Sequence, residues 1–242
     1  MIKISKKLKV NELRKAFSDS GKLHIPGFLE PDSAIFLASE LASRRDWSLV
    51  FNSQGKHYDI SYAHYMTLPE KSKTELREAI YSQAGSEFQY FFKNIPVYDI
   101  YHKADVEDEF IASVFEFING DEFLGIIAEI TGQHTITFGD VQATSFEPGH
   151  FLTSHDDYVA GKNRRIAYVI NLTSEWLSDW GGALQFSSKE GPGFDGYFPV
   201  FNAINLFKVP QLHSVSMVTP FSLKSRVSIT GWLRSGKDPE YV

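Results

Sequence analysis

"SFEPGHFLTSHDDYVAGKNRRIAYVINL", residues 145–172, is the stretch on which the reading of this chain turns. Two strand candidates, SFEPGHFLTS and RRIAYVINL, flank the run His155-Asp156-Asp157-Tyr158. A histidine and an aspartate two positions apart, His155 and Asp157, are either a solvated turn between strands or two of the three ligands of a metal site. The pair alone does not choose between these, so the surrounding sequence has to.

The strand texture continues on both sides. HTITFGDVQATSFEP alternates, and GGALQFSS, NAINLFKVP, HSVSMV and SRVSITGWLRSG follow as short strands set off by Gly, Pro and Ser turns. In the last of them, Val227, Ile229, Gly231 and Leu233 make one apolar or small set, and Arg226, Ser228, Thr230 and Trp232 make the other. Because strand side chains alternate between faces, the first set should pack on the scaffold. The second is either a wet surface or the wall of a pocket for a small anion. TPFSLKS, residues 219–225, reads as an extended hairpin and EWLSDWGG, residues 175–182, as a surface loop.

Upstream of Gly132 the pattern is mostly helical. PDSAIFLASELASRRD starts with Pro31-Asp32-Ser33 and repeats Ile35, Phe36, Leu37 and Leu41 at helical spacing. LPEKSKTELREAIYSQAGSEFQYFF predicts one long amphipathic helix over 68–92. VEDEFIASVFEFING and DEFLGIIAEITG predict two more, each stopped by a glycine, Gly120 and Gly132. LHIPGFLE and WSLVFN predict short strands. With no linker and no repeat, the reading is one domain over 1–242. Residues 1–135 are expected as mainly helical support with short leading strands, and 136–236 as the catalytic β core, a barrel or double-sheet jelly roll of the α+β class.

The composition narrows the function. The 242 residues carry a formal charge of −6, which leaves no basic field for a phosphate backbone, so no direct nucleic-acid contact is expected. The run KNRR, residues 162–165, is read as a solvated turn. With no cysteine, disulfides, thiol catalysis and cysteine-ligated metals are excluded. No run of about 18 apolar residues suggests a membrane span, and the charged N-terminus has no apolar core of signal-peptide length, so a cytoplasmic location is expected.

A useful metal site needs a third ligand, and His213, at the head of another strand, is the natural candidate. Two imidazoles and one carboxylate form the facial triad of non-haem Fe(II) oxygenases, and zinc accepts the same ligands. A zinc hydrolase, however, gives no reason for Arg226 and the hydroxyls beside it. A redox iron with an anionic cosubstrate does, since a guanidinium holds a carboxylate by a planar, two-pronged pair.

The ordered run of Phe146-x-Pro-Gly, His155-x-Asp157, Gly-Gly-x-Leu184, His213-x-Val and Arg226-x-Ser-x-Thr-x-Trp232 resembles the 2-oxoglutarate- and Fe(II)-dependent prolyl hydroxylases. The likeness is strongest to those that hydroxylate a ribosomal-protein proline and more distant to the hypoxia-inducible-factor prolyl hydroxylases. It implies a double-stranded β-helix, a cupin-like barrel, with the loop over 175–182 bordering its mouth. It also implies Fe(II) on His155, Asp157 and His213, 2-oxoglutarate on Arg226, and O2 as co-reactant, with ascorbate as an accessory reductant. Leu184, Thr230, Ser228, Phe146 and Asn171 are expected around the cosubstrate, with the Asn171 amide donating where relatives have a tyrosine. Trp232, Tyr158 and Gln142 are expected on the substrate side, and no catalytic group beyond the metal ligands is required. Asp157 favours hydroxylation over halogenation, which in relatives goes with loss of this carboxylate.

Three functions stay open at this point: a hydroxylase of a prolyl residue in a protein or peptide, a hydroxylase of a free amino acid or other small metabolite, and an inactive barrel that only binds or senses. No second arginine stands out on a pocket-facing strand to serve a free amino acid, which favours a polypeptide. Segments 56–66 and 158–164 are then expected to be mobile loops closing over it.

Overall fold

The computed structural model describes residues 1–103, 107–187 and 193–239. Val106 and Ser188, at the ends of two predicted segments, lie outside them. In chain order the elements are α1 (Val10–Ser20), β1 (Lys22–Pro26), α2 (Pro31–Ser43), β2 (Ser48–Ser53), β3 (Lys56–Ser61), α3 (Tyr62–Thr67), α4 (Glu70–Ala84), β4 (Tyr90–Ile95), α5 (Val97–Tyr101), α6 (Glu109–Asn119) and α7 (Asp121–Thr131). Then follow β5 (Ile136–Gly139), β6 (Gln142–Phe146), β7 (Phe151–His155), β8 (Arg164–Asn171), β9 (Leu184–Ser187), β10 (Phe194–Tyr197), β11 (Ala203–Lys208), β12 (His213–Val215) and β13 (Arg226–Ser235).

All the strands join one antiparallel sheet, whose main path is β1-β11-β8-β13-β6-β4-β7-β12-β9-β10. The sheet curls until its two edges meet. Lys22 on β1 reaches Asp195 on β10 at 3.0 Å, and the His24 ring stacks on Tyr197 at 5.1 Å. The result is a nearly closed jelly-roll barrel, and near-closure limits the exposed strand edges that an open sheet would present.

Alternation decides what faces in and out. On β8, Ile166, Tyr168 and Ile170 point outward into the main core, and Ala167 and Val169 point inward. On β13, Ile229 and Leu233 join the core, while Arg226, Ser228, Thr230 and Trp232 face the barrel interior. Helices α2, α6 and α7 cover the outer face with Leu37, Leu41, Ile111, Ile118, Phe123 and Ile127. Burying a side chain of this size stabilises the fold by roughly 1.5–3 kcal/mol. A second cluster, Leu49, Phe51, Tyr65, Ile80, Phe91 and Phe151, seals α3 and α4 over β2, β4 and β7.

The N-terminal half departs from the sequence reading in three places. The helix expected over 68–92 ends at Ala84, and residues 90–95 form β4, which pairs with β2, β6 and β7. Phe88, Phe91 and Phe92 are spaced like a helical stripe, but Tyr90 and Phe92 face the barrel interior while Phe91 enters the second cluster. Residues 56–66, expected as a mobile loop, are β3 and most of α3. On α2, Ser33 and Ala34 are buried, whereas Ile35 and Phe36 are exposed, and no side chain caps its start, where Pro31 occupies the first turn. In the second half, residues 219–225 form turns rather than an extended hairpin.

One glycine shows how tightly the barrel is drawn. A Cβ at Gly231, in the middle of β13, would sit 1.9 Å from the Asp140 carbonyl oxygen and 2.9 Å from the Tyr168 hydroxyl. Overpacking usually costs about 1–3 kcal/mol, and this clash is with backbone that cannot swing away. Gly231→Ala is therefore expected to lower the unfolding free energy by about 3 kcal/mol or more, read from urea titrations.

Candidate metal centre

The centre is set by one cross-strand pair. β7 and β12 run antiparallel with His155 directly opposite His213, which brings the two rings to 4.2 Å between centroids. Each ring is fixed by a backbone carbonyl. His155 Nδ1 lies 2.9 Å from the Thr153 oxygen, and His213 Nδ1 lies 2.7 Å from the Gln211 oxygen. A carbonyl only accepts, so in the neutral rings each Nδ1 carries the proton and each Nε2 is left bare as a ligand atom.

Beyond His155 the chain turns through a left-handed residue, Asp157, at φ 63°. Aspartate tolerates that conformation better than most residues. The turn brings its carboxylate back to the imidazoles, 3.2 Å from His155 Nε2 and 3.4 Å from His213 Nε2. One donor atom from each of the three residues lies within 4.8 Å of the others, a spacing that a shared ion can occupy. Burial pushes the Asp157 carboxyl up. When the imidazoles are protonated, hydrogen bonding to His155 and the fields of His213 and His155, with a hydrogen bond from Trp232, outweigh it and hold the group below its ordinary range. Burial also pushes His213 down, against the opposing pull of Asp157.

The three residues line a cavity of about 430 Å³ inside the barrel. Arg226, Ser228, Thr230, Leu184, Phe146, Trp232, Tyr158 and Gln142 line the same cavity. Arg226 is 2% exposed, with its guanidinium 5.2 Å from the Phe146 ring centre. Its Nε has no hydrogen-bond partner, and it has no ion pair among the described residues. Burial pushes its pKa down to about 10. A buried cation without a partner is costly, so this position suits an anionic ligand. Ser228 and Thr144, opposite one another on β13 and β6, share a hydroxyl contact at 2.9 Å on the cavity wall. The Thr230 hydroxyl is already committed to the Tyr168 carbonyl at 2.7 Å.

Asn171 is placed differently. It is fully buried but outside the cavity lining, and its amide nitrogen donates to the Ala203 carbonyl at 3.1 Å. Tyr158 sits at the rim and is 66% exposed. The loop over 175–182 packs beside Arg226 instead of lining the cavity. A side chain at Gly182 would meet the Trp176 ring at 3.1 Å and the Arg226 stem at 3.3 Å, so the glycine admits this close approach.

Sequence reasoning missed two parts of the site. A whole wall, with Val50, His57, Phe88, Tyr90, Phe92 and Asn94, comes from the N-terminal half. Its signal was the period-two pattern of YFFKNI, masked by the apparent helical spacing. The second is Arg164, a cavity-lining arginine where none beyond Arg226 was expected. Its guanidinium stacks 3.5 Å from the centre of the Trp232 ring and donates to the Asp157 carbonyl at 3.1 Å. The basic run at 162–165 is therefore not wholly a solvated turn, since Arg164 opens β8 and points into the site.

Comparison with known proteins agrees with this geometry. Residues 141–234 match the family model of the 2OG-Fe(II) oxygenase superfamily. A prolyl 3-hydroxylase of Xenopus laevis is 28% identical over 119 residues, covering 46% of this chain and 23% of that protein. The chain thus spans about a quarter of the length of the curated relative it matches. Two solved structures share the fold at 16% identity. A Pseudomonas putida prolyl-4-hydroxylase superposes with a TM-score of 0.61 over 95% of this chain and all of that one. A Trichoplax adhaerens prolyl hydroxylase, in complex with a hypoxia-inducible-factor peptide fragment, superposes with 0.62 over 93% of this chain and 89% of that one. No helix of the described residues is long and apolar enough to cross a membrane.

His150 lies outside the cavity lining, 5% exposed, with its ring 4.4 Å from Phe91. Burial pushes its pKa down to about 4, against the pull of Glu147. The folded state therefore resists protonation that the unfolded chain accepts, and stability falls as pH drops from about 6.5 through about 4. The loss assigned to this one group is roughly 3 kcal/mol. His150→Phe, which keeps a ring against Phe91, is expected to flatten that part of the stability–pH curve measured by urea unfolding.

Proposed function

We propose that this chain, whose residues 141–234 match the family model of the 2OG-Fe(II) oxygenase superfamily, is an Fe(II)- and 2-oxoglutarate-dependent dioxygenase that hydroxylates a prolyl residue in a polypeptide. One observation carries the reading: the bare Nε2 atoms of His155 and His213 and the Asp157 carboxylate meet in the same cavity as the buried Arg226, which has no ion pair among the described residues. Together they offer a cation site and an anion site within one barrel.

His155, Asp157 and His213 would hold Fe(II), and Arg226 would pair with the distal carboxylate of 2-oxoglutarate. The Thr144–Ser228 hydroxyls would supply the neutral hydrogen bonds first expected of Asn171, whose amide is engaged elsewhere. Phe146 and Leu184 would flank the carbon chain of the anion. When bound, iron, 2-oxoglutarate and O2 supply the oxidation, with one oxygen atom entering succinate as CO2 is lost and the other entering a substrate C–H bond as hydroxyl. The protein's own task is to bind, orient and exclude water.

On the substrate side, Trp232, Gln142, Tyr90, Phe88 and Tyr158 form a largely aromatic wall leading to the rim. Such a wall can pack against a proline ring and the chain on either side of it. The prolyl hydroxylase relatives support a polypeptide substrate. On the resemblance of the motifs from Phe146 to Trp232, we further read the substrate as a ribosomal protein, the compartment as the cytoplasm and ascorbate as an accessory reductant. Arg164 favours a second reading, because it could pair with the carboxylate of a free amino acid.

Two outcomes are expected. With iron, ascorbate and 2-oxoglutarate, proline-containing peptides should drive succinate formation and gain 16 Da, while free L-proline should not; turnover of the free amino acid alone would reverse the assignment. Arg226→Met should leave the unliganded protein as stable or more stable by about 1–3 kcal/mol, because it removes an unpaired buried charge. The same variant should lose the rise in Tm that 2-oxoglutarate produces in the wild type.

A further inference from the structure

Gln89 is 1% exposed and sits between two cavity-lining residues, Phe88 and Tyr90, without lining the cavity itself. All of its polar groups are engaged. Its side-chain oxygen accepts from the backbone N–H groups of Asn52 at 2.9 Å and Tyr90 at 2.8 Å. Its side-chain nitrogen donates to the Asn52 carbonyl at 2.7 Å and to Gln83 Oε1 at 3.1 Å. Its backbone N–H donates to Thr153 Oγ1 at 2.8 Å. Its carbonyl accepts from the Thr153 N–H at 2.9 Å and from Thr153 Oγ1 at 3.0 Å.

These bonds tie four pieces together: β2 through Asn52, α4 through Gln83, the start of β4, and β7 through Thr153. Regular pairing of β4 with β7 covers only Tyr90 with Leu152 and Phe91 with Phe151. Gln89 and Thr153 extend it by one more step. The carbonyl of that same Thr153 fixes His155 Nδ1 at 2.9 Å. His213 has its own acceptor, Gln211, which Gln89 does not touch.

We infer that Gln89 is a positioning residue for His155: its side chain pins its own main chain to β2 and α4, and that main chain, bonded to Thr153, steadies the carbonyl that fixes the ring plane of this ligand and joins it to the aromatic wall. The inference rests on the reading of His155 as an iron ligand. The required chemistry is specific, because the side chain must accept from two N–H groups and donate to two oxygens at once. Glutamate at this position keeps the acceptor and loses both donors, and alanine loses all four side-chain contacts, leaving the main-chain bonds to Thr153 without their anchor on β2 and α4. Groups that orient a metal-bound imidazole commonly change metal affinity when removed, by about 10–100-fold.

The test is a Co(II) titration of the intact chain, followed by the visible d–d absorption of the bound ion, with Tm recorded on the metal-free protein. Gln89→Ala is expected to raise the Co(II) Kd at least about tenfold and to alter the d–d spectrum. Gln89→Glu should be affected less, and Thr153→Val should shift affinity in the same direction if Gln89→Ala does not fold. Asn202→Ala is the control. That buried amide clamps the Leu29 backbone with a similar pair of bonds, 2.9 and 2.8 Å, and its side chain bonds neither β4 nor β7. It should lower Tm while leaving Kd and spectrum unchanged. Wild-type affinity in folded Gln89→Ala and Thr153→Val, or equal weakening in Asn202→Ala, would overturn the positioning role alone. Failure of the wild type to bind Co(II) would overturn the iron reading as well.

Discussion

The pairing of β7 with β12 is the constraint on which the rest depends. His155 and His213 face one another only in the observed register, and a slip of one residue would turn either imidazole to the opposite face of the sheet. Several features hold that register. β12 is fixed on its far side by β9, where His213 pairs with Phe186. β7 is fixed by β4 and by the Gln89–Thr153 bonds. The turn to Asp157 then starts from a strand end that cannot drift, which is why a three-atom site can be built on one short strand pair and a single left-handed residue.

Charge placement inside the barrel works against stability and toward binding. Arg226 is buried with no partner among the described residues, while Asp157 is buried beside two imidazoles, and Arg164 is stacked over Trp232 with its Nε unsatisfied. None of these arrangements is what a core would select for its own sake, since unpaired buried polar groups cost free energy. The fold offsets the cost elsewhere, through the apolar cluster under α2, α6 and α7. The barrel thus keeps a cation and a carboxylate buried in one cavity, where each interacts with ligands more strongly than at an exposed surface.

Much of this was legible in the sequence, and the parts that were not share a physical cause. The strands from β5 to β13 announce themselves by alternation between turn residues, and the two faces of β13 could be assigned residue by residue. The exception is β10, whose four residues Phe194–Tyr197 carry an Asp and a Gly and do not read as a strand. The N-terminal half was harder. In β4 the outward face carries Lys93 between Phe91 and Ile95, and the lysine is buried because it pairs with Glu147 and lies over the Tyr62 ring. An alternation broken by a buried ion pair does not read as a strand. Arg164 was obscured for a related reason: in KNRR only the three-dimensional path shows which cation turns inward. Asn171 occupies a strand position that can face inward, but the bond it makes to Ala203 depends on β11, a neighbour that local sequence does not specify.

The division of the cavity between the two halves bears on substrate choice. The three candidate metal ligands, Arg226 and the hydroxyls beside it fall within residues 141–234, the segment that matches the family model. The wall of Val50, His57, Phe88, Tyr90, Phe92 and Asn94 lies wholly outside it. The β2–β3 ribbon that carries part of this wall is attached by β2 to β4, and His57 on β3 meets the Tyr90 hydroxyl at 2.7 Å. In the proposed reaction the matched segment provides what any member needs, a cation site and an anion site. The unmatched half adds Phe88, Tyr90 and their neighbours to the surface a particular substrate would touch, beside Gln142, Tyr158 and Trp232 of the matched segment. Specificity should therefore follow substitutions in residues 48–94 more closely than substitutions around Arg226, whose loss would weaken the reaction with every substrate alike.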